Sequence, residues 1–318
     1  MPTLAELPPV RTQPGAPALS VVIPTLDRFD TLLDTLAALD EQTCEPGQVE
    51  VVVIDNGPDG ATAARLAEHA GRLPRQVISE PTPGPAAARN TGVRAAAAPV
   101  VLLLGDDMRP ADGGLLGHHL ELHAADPRAA FAVLGRVAWR PDKPVTPFMH
   151  WLEHGGPQFD FDALAPGRIP AARSFYTSHV SLKVAALDAV GGFDERFPFA
   201  AVEDIEIGLR LEQAGLELVY HPELLVHHDH LYVPNGFAAR QARVGASARL
   251  MKELHGSRGL LPEPRWSWPL HRAARPLLEA LATRPLRPGM RDRVWAALAM
   301  AGYARGWESG PAGLRNTD

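Results

Sequence analysis

The first third of the chain alternates between short apolar runs and segments whose apolar residues recur every three or four positions. Apolar runs of this length, bounded by Pro, Gly or Asp, predict buried strands, and the helical spacing predicts amphipathic helices. Leu32, Leu36 and Leu39, for example, fall on one helix face. Strands are expected at 19–23, 49–55, 76–80 and 100–105, and helices at 30–40, 61–71 and 86–97.

Strands that alternate with helices in this way predict a doubly wound α/β sheet in which neighbouring strands are parallel. Ligands of such sheets bind beyond the carboxyl ends of the strands. Asp55 ends the second predicted strand, and Asp106 and Asp107 follow the fourth, directly after Gly105. These carboxylates are therefore expected along one edge of the sheet, within reach of a ligand.

The pattern changes after residue 110 and divides the chain into parts. Residues 1–18 are Pro-rich without periodicity and are predicted to be a flexible tail, 19–235 to form one domain with halves 19–110 and 111–235, and 236–318 to form a basic helical extension. The first of the later elements are expected to be a helix at 111–126, a strand at 131–139, an irregular segment at 140–175, and a strand and short helix within 178–197. They are expected to be followed by a helix at 202–215, a strand–turn–strand at 216–230, and helices after 237 that are broken by the Pro-rich segment 262–276.

Composition excludes several classes of protein. The 318 residues are 46% hydrophobic and 21% charged, which is typical of soluble globular proteins. The single cysteine, Cys44, excludes a disulfide framework and a cysteine-based zinc site and fits a reducing compartment. No signal peptide is visible, and the longest apolar run, 95–105, is interrupted by Pro99 and is too short to span a bilayer. A cytoplasmic location is therefore expected.

The net charge of −6 is distributed unevenly along the chain. Residues 237–318 contain 14 basic and 6 acidic residues, which leaves the rest of the chain with a net charge of −14. Within this basic part, the segment 291–307 has apolar residues at helical spacing flanked by Trp and Arg, a pattern that suits the boundary between water and an anionic lipid surface. Peripheral contact with the inner face of a membrane is one expectation. The alternative is that these helices pack on the acidic body of the molecule.

The adjacent carboxylates of Asp106 and Asp107 repel each other unless something compensates their charge. A divalent cation would do so and would convert the strand end into a site for a diphosphate. The alternative is a solvated loop with two ordinary surface carboxylates. The pair alone does not decide between these readings.

Five motifs, each weak by itself, occur in an order and spacing that favour the first reading. They are VVIPT at the first strand end, VVIDNG at the second, PGPAAARNTGV at the third helix, LLLGDDMRP at the fourth strand and VEDIEIGLRL near residue 207. In this combination, residues 19–233 resemble the family 2 glycosyltransferases, which have the GT-A fold. The resemblance implies a mostly parallel central sheet and a metal-assisted, inverting transfer of a sugar from a nucleotide diphosphate to an acceptor hydroxyl. It also makes 19–110 the nucleotide-binding half and 111–235 the acceptor half.

The resemblance implies a set of donor-binding residues. The turn after the first strand lies next to the base and ribose, and a carboxylate after the second strand accepts a hydrogen bond from the base. A basic residue of the third helix faces the nucleotide, and the first carboxylate of the pair lies near the ribose and phosphates. The residues that match are Pro24, Thr25, Leu26, Asp27, Asp55, Arg89 and Asp106.

The resemblance further assigns the reacting groups. Asp107 matches the last carboxylate of the DxD motif, which binds Mg²⁺ or Mn²⁺, and Asp204 matches the general base that takes the proton of the acceptor hydroxyl. Glu203 and His179 are expected on the acceptor side. Capping of a helix N-terminus is the structural alternative for Glu203 and Asp204.

Three departures from the family pattern keep other functions open. Gly105 replaces the first Asp of the DxD motif, Leu26 stands where many relatives have an aromatic residue, and His179 stands where a small polar residue is common. Gly105 favours a degenerate module that binds a nucleotide sugar or glycan without transferring it. A sugar nucleotidyltransferase is disfavoured because IPTLDRFD lacks a Gly-rich basic loop.

Two histidine clusters could bind metal. In VHHDH, His228 and His230 are two apart on a predicted strand and point to the same face, where a histidine completes the metal site of many GT-A enzymes. His228 is the first choice, His230 the second, and exposed histidines without a ligand role are the alternative. In HHLELH, His119 and His123 are four apart but have no third ligand, so they are predicted to be surface residues.

The partners expected from these observations are small molecules and glycans. The donor is a UDP-, GDP- or dTDP-linked sugar, and the acceptor is a glycan, a lipid-linked precursor or a small metabolite. No nucleic acid partner is expected. The sequence identifies neither the sugar nor the acceptor.

Overall fold

The computed structural model describes residues 3–57, 60–158 and 161–315, and within them the core is a nine-stranded sheet. Its strand order is β3-β2-β1-β4-β8-β6-β9-β5, with β7 paired to β9. The strands are β1 (Leu19–Thr25), β2 (Val49–Asp55), β3 (Arg75–Ser79), β4 (Val100–Leu104), β5 (Met108–Pro110), β6 (Phe131–Trp139), β7 (Gly167–Ile169), β8 (His179–Lys183) and β9 (Glu217–His228).

The first four strands of this order form a parallel half-sheet, as the alternating pattern predicts. β1 pairs in parallel with β2 and with β4, and Thr25 stands opposite Asp55. β8 joins β4 in the antiparallel direction, so that His179 stands opposite Leu104. The carboxyl ends of the parallel strands therefore meet along one edge, where Asp106 and Asp107 follow β4. The predicted α/β class with a mostly parallel central sheet is confirmed.

The helices cover the sheet and form the C-terminal region. They are α1 (Phe29–Asp40), α2 (Ala61–Leu66), α3 (Pro85–Ala95), α4 (Leu115–Ala125), α5 (Pro147–Glu153), α6 (Ala171–Ser174), α7 (Val184–Ala189), α8 (Glu203–Gln213), α9 (Pro234–His255), α10 (Trp268–Ala273), α11 (Arg275–Ala282) and α12 (Pro288–Arg315). α12 consists of two helical segments because Gly310 has a non-helical backbone with φ of 65°. No helix in the described part of the chain is long and apolar enough to cross a membrane.

Several elements differ from the sequence-based expectation. The segment 216–230 is one strand, whose pairing with β6 shifts register between Gly135 and Arg136, instead of strand–turn–strand. The Pro-rich segment 262–276 contains α10, because proline is tolerated in the first turn of a helix and Pro269 lies there. Within the expected flexible tail, Leu4 is buried, and its amide donates to the carbonyl of Ala214, although most of the other described residues of this segment are exposed.

The chain divides into two compact units, whose boundaries differ from the expected domains. The first comprises Met1–Lys143, Ala163–Glu195 and Asp204–His230, and the second comprises Pro144–Asp162, Arg196–Glu203 and Leu231–Asp318. The second unit thus includes two segments from within 19–235 in addition to the helical extension. It begins its long C-terminal stretch at Leu231, a few residues before the expected boundary.

Close packing of α9 against α12 defines the second unit. A Cβ atom added to Gly306 would lie within 2.8 Å of three backbone atoms of Ala242, so only glycine permits this approach of the two helices. Trp295 and Tyr303 of α12 are buried, at 5% and 3% exposure. The apolar face of 291–307 therefore packs inside the protein, and the expectation that this face meets lipid is wrong.

Candidate functional site

The end of β4 brings Asp106 and Asp107 into a nearly buried polar cluster. Each residue is only 6% exposed. The hydroxyl of Thr25, at the end of β1, donates to Oδ2 of Asp106 across 2.8 Å, and the hydroxyl of Thr35 donates to the carbonyl of Asp106 across 2.9 Å. β1 and β4 are neighbours in the sheet, so their ends necessarily lie together. The cluster excludes the alternative of two ordinary solvated carboxylates.

Arg28 forms an ion pair with each of the two carboxylates, and sequence reasoning did not identify it. Its Nη1 lies 2.9 Å from Oδ1 of Asp106, and its Nη2 lies 2.6 Å from Oδ2 of Asp107. Arg28 immediately precedes α1, four residues after Pro24, so the turn after β1 delivers it to this edge. The feature of the sequence that indicates Arg28 is its position in LDRFD, directly after Leu26 and Asp27, which are assigned to the donor.

The two carboxyl groups titrate differently because their surroundings differ. Burial and the charge of Asp107 raise the pKa of Asp106 to about 6. Burial alone would also raise the pKa of Asp107, but the charges of His228 and Arg28 outweigh it and hold that pKa below its ordinary value. Asp107 therefore remains an anion to lower pH than Asp106 does.

The three residues predicted to bind metal lie together. β5 pairs with β9 so that Met108 stands opposite His228, and this places Asp107 beside the histidines. Oδ2 of Asp107 is 3.1 Å from Nε2 of His228 and 3.8 Å from Nδ1 of His230. One ligand atom from each residue lies within 4.8 Å of the others. A carboxylate with two imidazoles is a donor set that fits Mn²⁺ and other first-row divalent ions.

Aromatic and ionic contacts hold this histidine segment in place. Trp139, at the end of β6, stacks on the ring of His228 with ring centroids 5.3 Å apart. Asp229, between the two histidines, accepts from Arg140 across 2.8 Å and from Lys143 across 2.6 Å. These contacts fix the backbone on both sides of His228. The segment that follows β9 is thus held by residues at and just after the end of β6.

The predicted base-binding residues lie at the ends of β1 and β2. Asp55 is buried, and its two carboxylate oxygens accept from the amides of Gly57 and Thr62 across 3.0 and 2.9 Å. It therefore orders the turn that leads into α2. Pro24 lies within β1, Leu26 is 52% exposed, and Asp27 has a left-handed backbone with φ of 52°. The exposed Leu26 provides an aliphatic surface at this edge.

Arg89 and the residues at the start of α8 occupy separate positions. Arg89 is a mostly buried residue of α3, and its guanidinium lies 5.6 Å from the ring centroid of Phe193. Glu203, which is buried, and Asp204 are the first residues of α8. Val202 directly before them has φ of 74°, an unusual conformation for a β-branched residue. This strained turn directly precedes the helix that carries Asp204.

His179 lies in the core, which corrects its assignment to the acceptor side. It is 0% exposed, with Nε2 3.1 Å from Nε2 of His119 and Nδ1 3.4 Å from the carbonyl of Arg136. A buried ring in this position is not available to an acceptor. His119 and His123 are also buried, so their prediction as surface residues is wrong.

These histidines belong to a chain of hydrogen bonds along β8 and α4. Nζ of Lys183 donates to Nδ1 of His123 across 2.6 Å, and it also donates to two backbone carbonyls. His123 must then donate through Nε2 to Ser181, whose hydroxyl donates to Nδ1 of His119, and His119 donates through Nε2 to His179. In this direction every histidine is neutral. Burial lowers the pKa of His123 to about 3 and that of His179 to about 4.

Comparison with protein families matches this part of the chain to one family. The family described as Glycosyl transferase family 2 matches residues 20–174, which contain β1 to β4 and the Asp106–Asp107 pair. Validoxylamine A glucosyltransferase of Streptomyces hygroscopicus subsp. limoneus is 34% identical over 250 residues, which cover 67% of this chain and 53% of that protein. Pre-mycofactocin glycosyltransferase of Mycobacterium tuberculosis is 31% identical over 216 residues, which cover 65% of this chain and 43% of that protein. The chain thus spans about half the length of these relatives.

Solved structures with the same fold extend the comparison to nearly the whole chain. The mannosyltransferase PcManGT from Pyrobaculum calidifontis, in complex with GDP-Man and Mn²⁺, matches with a TM-score of 0.61 and 19% identity over 99% of this chain and 92% of that one. TarS 1–349 from S. aureus, in complex with UDP-GlcNAc, matches with a TM-score of 0.53 and 14% identity over 92% and 90% of the two chains. These similarities show a GT-A fold, and together with the family match they establish that this chain belongs to glycosyl transferase family 2.

Proposed function

We propose that this protein transfers a hexosyl group from a nucleotide-diphosphate sugar to an acceptor hydroxyl, with inversion at the anomeric carbon and with the help of Mg²⁺ or Mn²⁺. The observation that supports this most directly is the convergence of Asp107, His228 and His230 at the end of β4. Family membership and the GT-A fold support the same reaction. Because one solved relative contains Mn²⁺, this ion is the first metal to test.

The proposed reaction is a single displacement. The acceptor oxygen forms a bond to the anomeric carbon while the bond from that carbon to the phosphate oxygen breaks, and the nucleoside diphosphate leaves with the electron pair. Asp204 accepts the acceptor proton through its carboxylate, a contribution of typically 10²–10⁴-fold. The metal, held by Asp107 with His228 and His230, supplies charge stabilisation for the diphosphate when bound. Thr25 and Asp106 hold the strand ends at which the donor binds.

The donor base is proposed to bind beside β1 and β2. Pro24, Leu26 and Asp27 line the turn after β1, and Asp55 ends the neighbouring strand, in register with Thr25. Arg89 of α3 contributes a positive charge to the nucleotide. Solved relatives contain GDP-Man, UDP or UDP-GlcNAc, so GDP- and UDP-sugars are the first donors to test, followed by dTDP-sugars.

The acceptor is proposed to be a small glycosylated metabolite. Two of the relatives are named for validoxylamine A and for pre-mycofactocin, which favours this class over a polymeric glycan or a lipid-linked precursor. The proposed inversion and the identity of the acceptor are separate questions. Inversion follows from the single base Asp204, whereas the acceptor depends on the surface around it.

A donor screen tests the proposed function. The full chain is incubated with each of the UDP-, GDP- and dTDP-sugars, with Mn²⁺, Mg²⁺ or EDTA, and release of the nucleoside diphosphate is measured with and without acceptors. We expect one donor class to be hydrolysed slowly and only with metal, and Asp107→Asn to lose this activity. Hydrolysis that is equal in EDTA, or equal in Asp107→Asn, contradicts the proposed metal site.

The second candidate is a module that binds a nucleotide sugar without transferring it, and Gly105 favours it because the DxD motif lacks its first carboxylate. Calorimetry distinguishes the two. Metal-dependent donor binding with no turnover of any donor or acceptor supports the binding module, and turnover excludes it.

We further propose that the second unit docks on an anionic membrane surface, through a face other than the one expected from the sequence. Along α10 and α11 the exposed residues are mostly apolar, with Arg272 among them, whereas Trp268 and Ala282 are buried. Trp266 is 86% exposed, and Leu270 and Leu277 are each 62% exposed. Surface helices normally place polar residues outward, so this face fits a partner with an apolar interior.

The basic residues around this face favour an anionic partner. Residues 265–287 contain five arginines and one acidic residue, Glu279. Arg265, at the start of the face, and Arg284, beyond its end, are exposed. An interfacial helix with aromatic and aliphatic residues on one side and arginines at its borders matches the boundary of an anionic bilayer. Each basic residue close to such a surface contributes about 1 kcal/mol.

A further inference from the structure

We propose a second metal site, at the end of α5, formed by His150, Glu153 and His154. It is independent of the Asp107 site and of the proposed transferase function. One ligand atom from each of the three residues lies within 4.8 Å of the others. Two imidazoles and one carboxylate form a donor set that suits Zn²⁺ and similar divalent transition metals.

The helix places the three side chains on one side. His150, Glu153 and His154 are at positions i, i+3 and i+4, which are neighbours on a helix surface. The rings of His150 and His154 are nearly parallel, with an interplanar angle of 13° and centroids 6.3 Å apart. Nε2 of His154 lies 3.6 Å from Oε2 of Glu153. Modest rotation of exposed side chains would close these distances around one ion.

The opposite side of α5 holds the helix rigidly. Phe148, Met149 and Leu152 are buried. The ring of Phe148 packs edge-on against Trp295 at 5.0 Å and against Phe237 at 5.7 Å between centroids. The side chain of Thr146 caps the helix by accepting from the amide of Met149. The backbone that carries the three candidate ligands is therefore preorganised, which lowers the entropic cost of binding.

Asp162 provides an independent observation that points to a metal. Its Oδ2 lies 2.6 Å from Nδ1 of His154. When Asp162 accepts a hydrogen bond from Nδ1–H, the lone pair of His154 is on Nε2, the nitrogen that faces Glu153. A carboxylate that holds the second ring nitrogen of a ligating histidine is a recurrent arrangement at metal sites. Asp162 thus fixes both the ring orientation and the tautomer needed for binding.

The sequence shows this spacing as HWLEH, and HHLELH is a second segment with histidines four apart. The structure separates the two cases by exposure. His119 and His123 of HHLELH are buried and satisfied by Ser181 and Lys183, whereas His150 and His154 are exposed. The site takes a metal from solvent and, once occupied, would join the end of α5 to the turn that carries Asp162.

Stoichiometry separates this site from the Asp107 site. Full-length protein is titrated with Zn²⁺ against a chromophoric chelator, and Co²⁺ is used as a spectroscopic probe of coordination. We expect two sites in the parent, one in Asp107→Asn, one in the double variant His150→Asn/His154→Asn, and none in the combined variant. His69→Asn, which removes another exposed histidine, should leave two sites.

A second variant tests whether Asp162 orients His154, and it distinguishes the proposed site from nonspecific metal binding by surface histidines. Asp162→Asn keeps the side-chain shape but weakens the hold on His154, and we expect a 10- to 100-fold loss of Zn²⁺ affinity at the second site. Circular dichroism verifies that each variant is folded. An unchanged stoichiometry in His150→Asn/His154→Asn overturns the proposal, and so does an Asp162→Asn affinity equal to that of the parent.

Discussion

Nη2 of Arg28 lies 2.6 Å from Oδ2 of Asp107, the same oxygen that is 3.1 Å from Nε2 of His228. The guanidinium therefore occupies the carboxylate oxygen that a metal at this site would use. Asp106 is also paired to Arg28, whose single positive charge offsets one of the two adjacent negative charges without a metal. Arg28 and a divalent cation are thus expected to compete for Asp107.

The first prediction concerns this competition. In Arg28→Gln, two buried carboxylates lose the cation that pairs with them. The free energy of unfolding of the metal-free protein should therefore fall by about 1–3 kcal/mol, and we expect the lower end of this range because Arg28 is partly exposed. The rise in melting temperature on addition of Mn²⁺ should be larger than in the parent. Thermal unfolding with EDTA and with Mn²⁺ measures both effects.

The control for this prediction is Arg168→Gln, which removes an exposed arginine paired with Glu217. It should change neither the stability by more than about 0.5 kcal/mol nor the response to Mn²⁺. An Arg28→Gln protein with the parent's melting temperatures in both conditions would show that the guanidinium does not compensate the carboxylates.

How much of this site could be predicted depends on the distance along the chain between its members. Asp106 and Asp107 were predicted because they end a local apolar run, and His228 because family resemblance and strand spacing converge on it. The contact between Arg28 and Asp107 joins residues 79 positions apart, and no local periodicity reports such a contact. The pairing of β5 with β9 is equally non-local.

The buried histidines show a different limit. His119 and His123 follow Leu116 at helical spacing, so they share its buried face, and His179, Ser181 and Lys183 alternate on β8. Both patterns were present in the sequence. The prediction of surface residues followed from the absence of a third metal ligand in HHLELH. A buried imidazole is stable only when its nitrogens have hydrogen-bond partners, and those partners lie on a distant strand.

The second prediction concerns the general base. Asp204→Asn preserves the side-chain shape but cannot accept the acceptor proton, so donor binding should persist while transfer falls by at least ~10²-fold. Calorimetry with the donor and steady-state transfer assays separate the two effects. Asp188→Asn, a change at an exposed residue of α7, is the matched control and should transfer normally. Near-parental turnover of Asp204→Asn would place the base elsewhere.

The third prediction concerns pH and the chain of neutral histidines. His123 and His179 have folded-state pKa values of about 3 and about 4, below the ordinary value near 6.5. Between these values the unfolded chain binds protons that the folded protein does not, so their contribution to stability is complete above pH 6.5 and declines as the pH falls toward 4. Each such group contributes a slope of about 1.4 kcal/mol per pH unit.

Urea unfolding at several pH values between 4 and 7 measures this slope. His123→Asn should reduce the slope by about 1.4 kcal/mol per pH unit, the contribution of one titrating group, because the side chain no longer titrates. His69→Asn, which replaces an exposed histidine, is the matched control. Equal slopes for His123→Asn and the parent would mean that His123 does not remain neutral in the folded state.

The fourth prediction concerns the space around His179. A Cβ atom on Gly135 would lie 2.0 Å from Cε1 of that ring, and the ring is held on both sides by hydrogen bonds. Gly135→Ala should therefore destabilise the protein by roughly 1–3 kcal/mol, as overpacking usually does. Gly117→Ala, in α4 with no atom within 4 Å of the added Cβ, should be neutral or stabilise by up to about 1 kcal/mol. Chemical denaturation gives both values, and similar effects of the two changes would refute the steric argument.

The last prediction concerns the outward face of α10 and α11. Leu270 and Leu277 are each 62% exposed, so replacing both by Ser should leave the melting temperature within a few degrees of the parent's. Each leucine buried at a lipid interface contributes roughly 1.5–3 kcal/mol, so the double variant should lose most of its membrane binding. Full-length protein is sedimented with vesicles of phosphatidylcholine containing phosphatidylglycerol, at low and high salt. Leu231→Ser, at a residue that is 66% exposed but lies outside this face, is the control and should bind as the parent does.

Salt and lipid composition distinguish a membrane from another partner for this face. Binding to anionic vesicles should weaken at high salt, since the arginines contribute through a screened attraction, and should be weaker still on pure phosphatidylcholine. If the parent binds no vesicles but forms a dimer that Leu270→Ser/Leu277→Ser dissociates, then the face joins two copies of the chain and the membrane proposal is wrong. If the double variant sediments with anionic vesicles as well as the parent does, the apolar face does not carry the interaction.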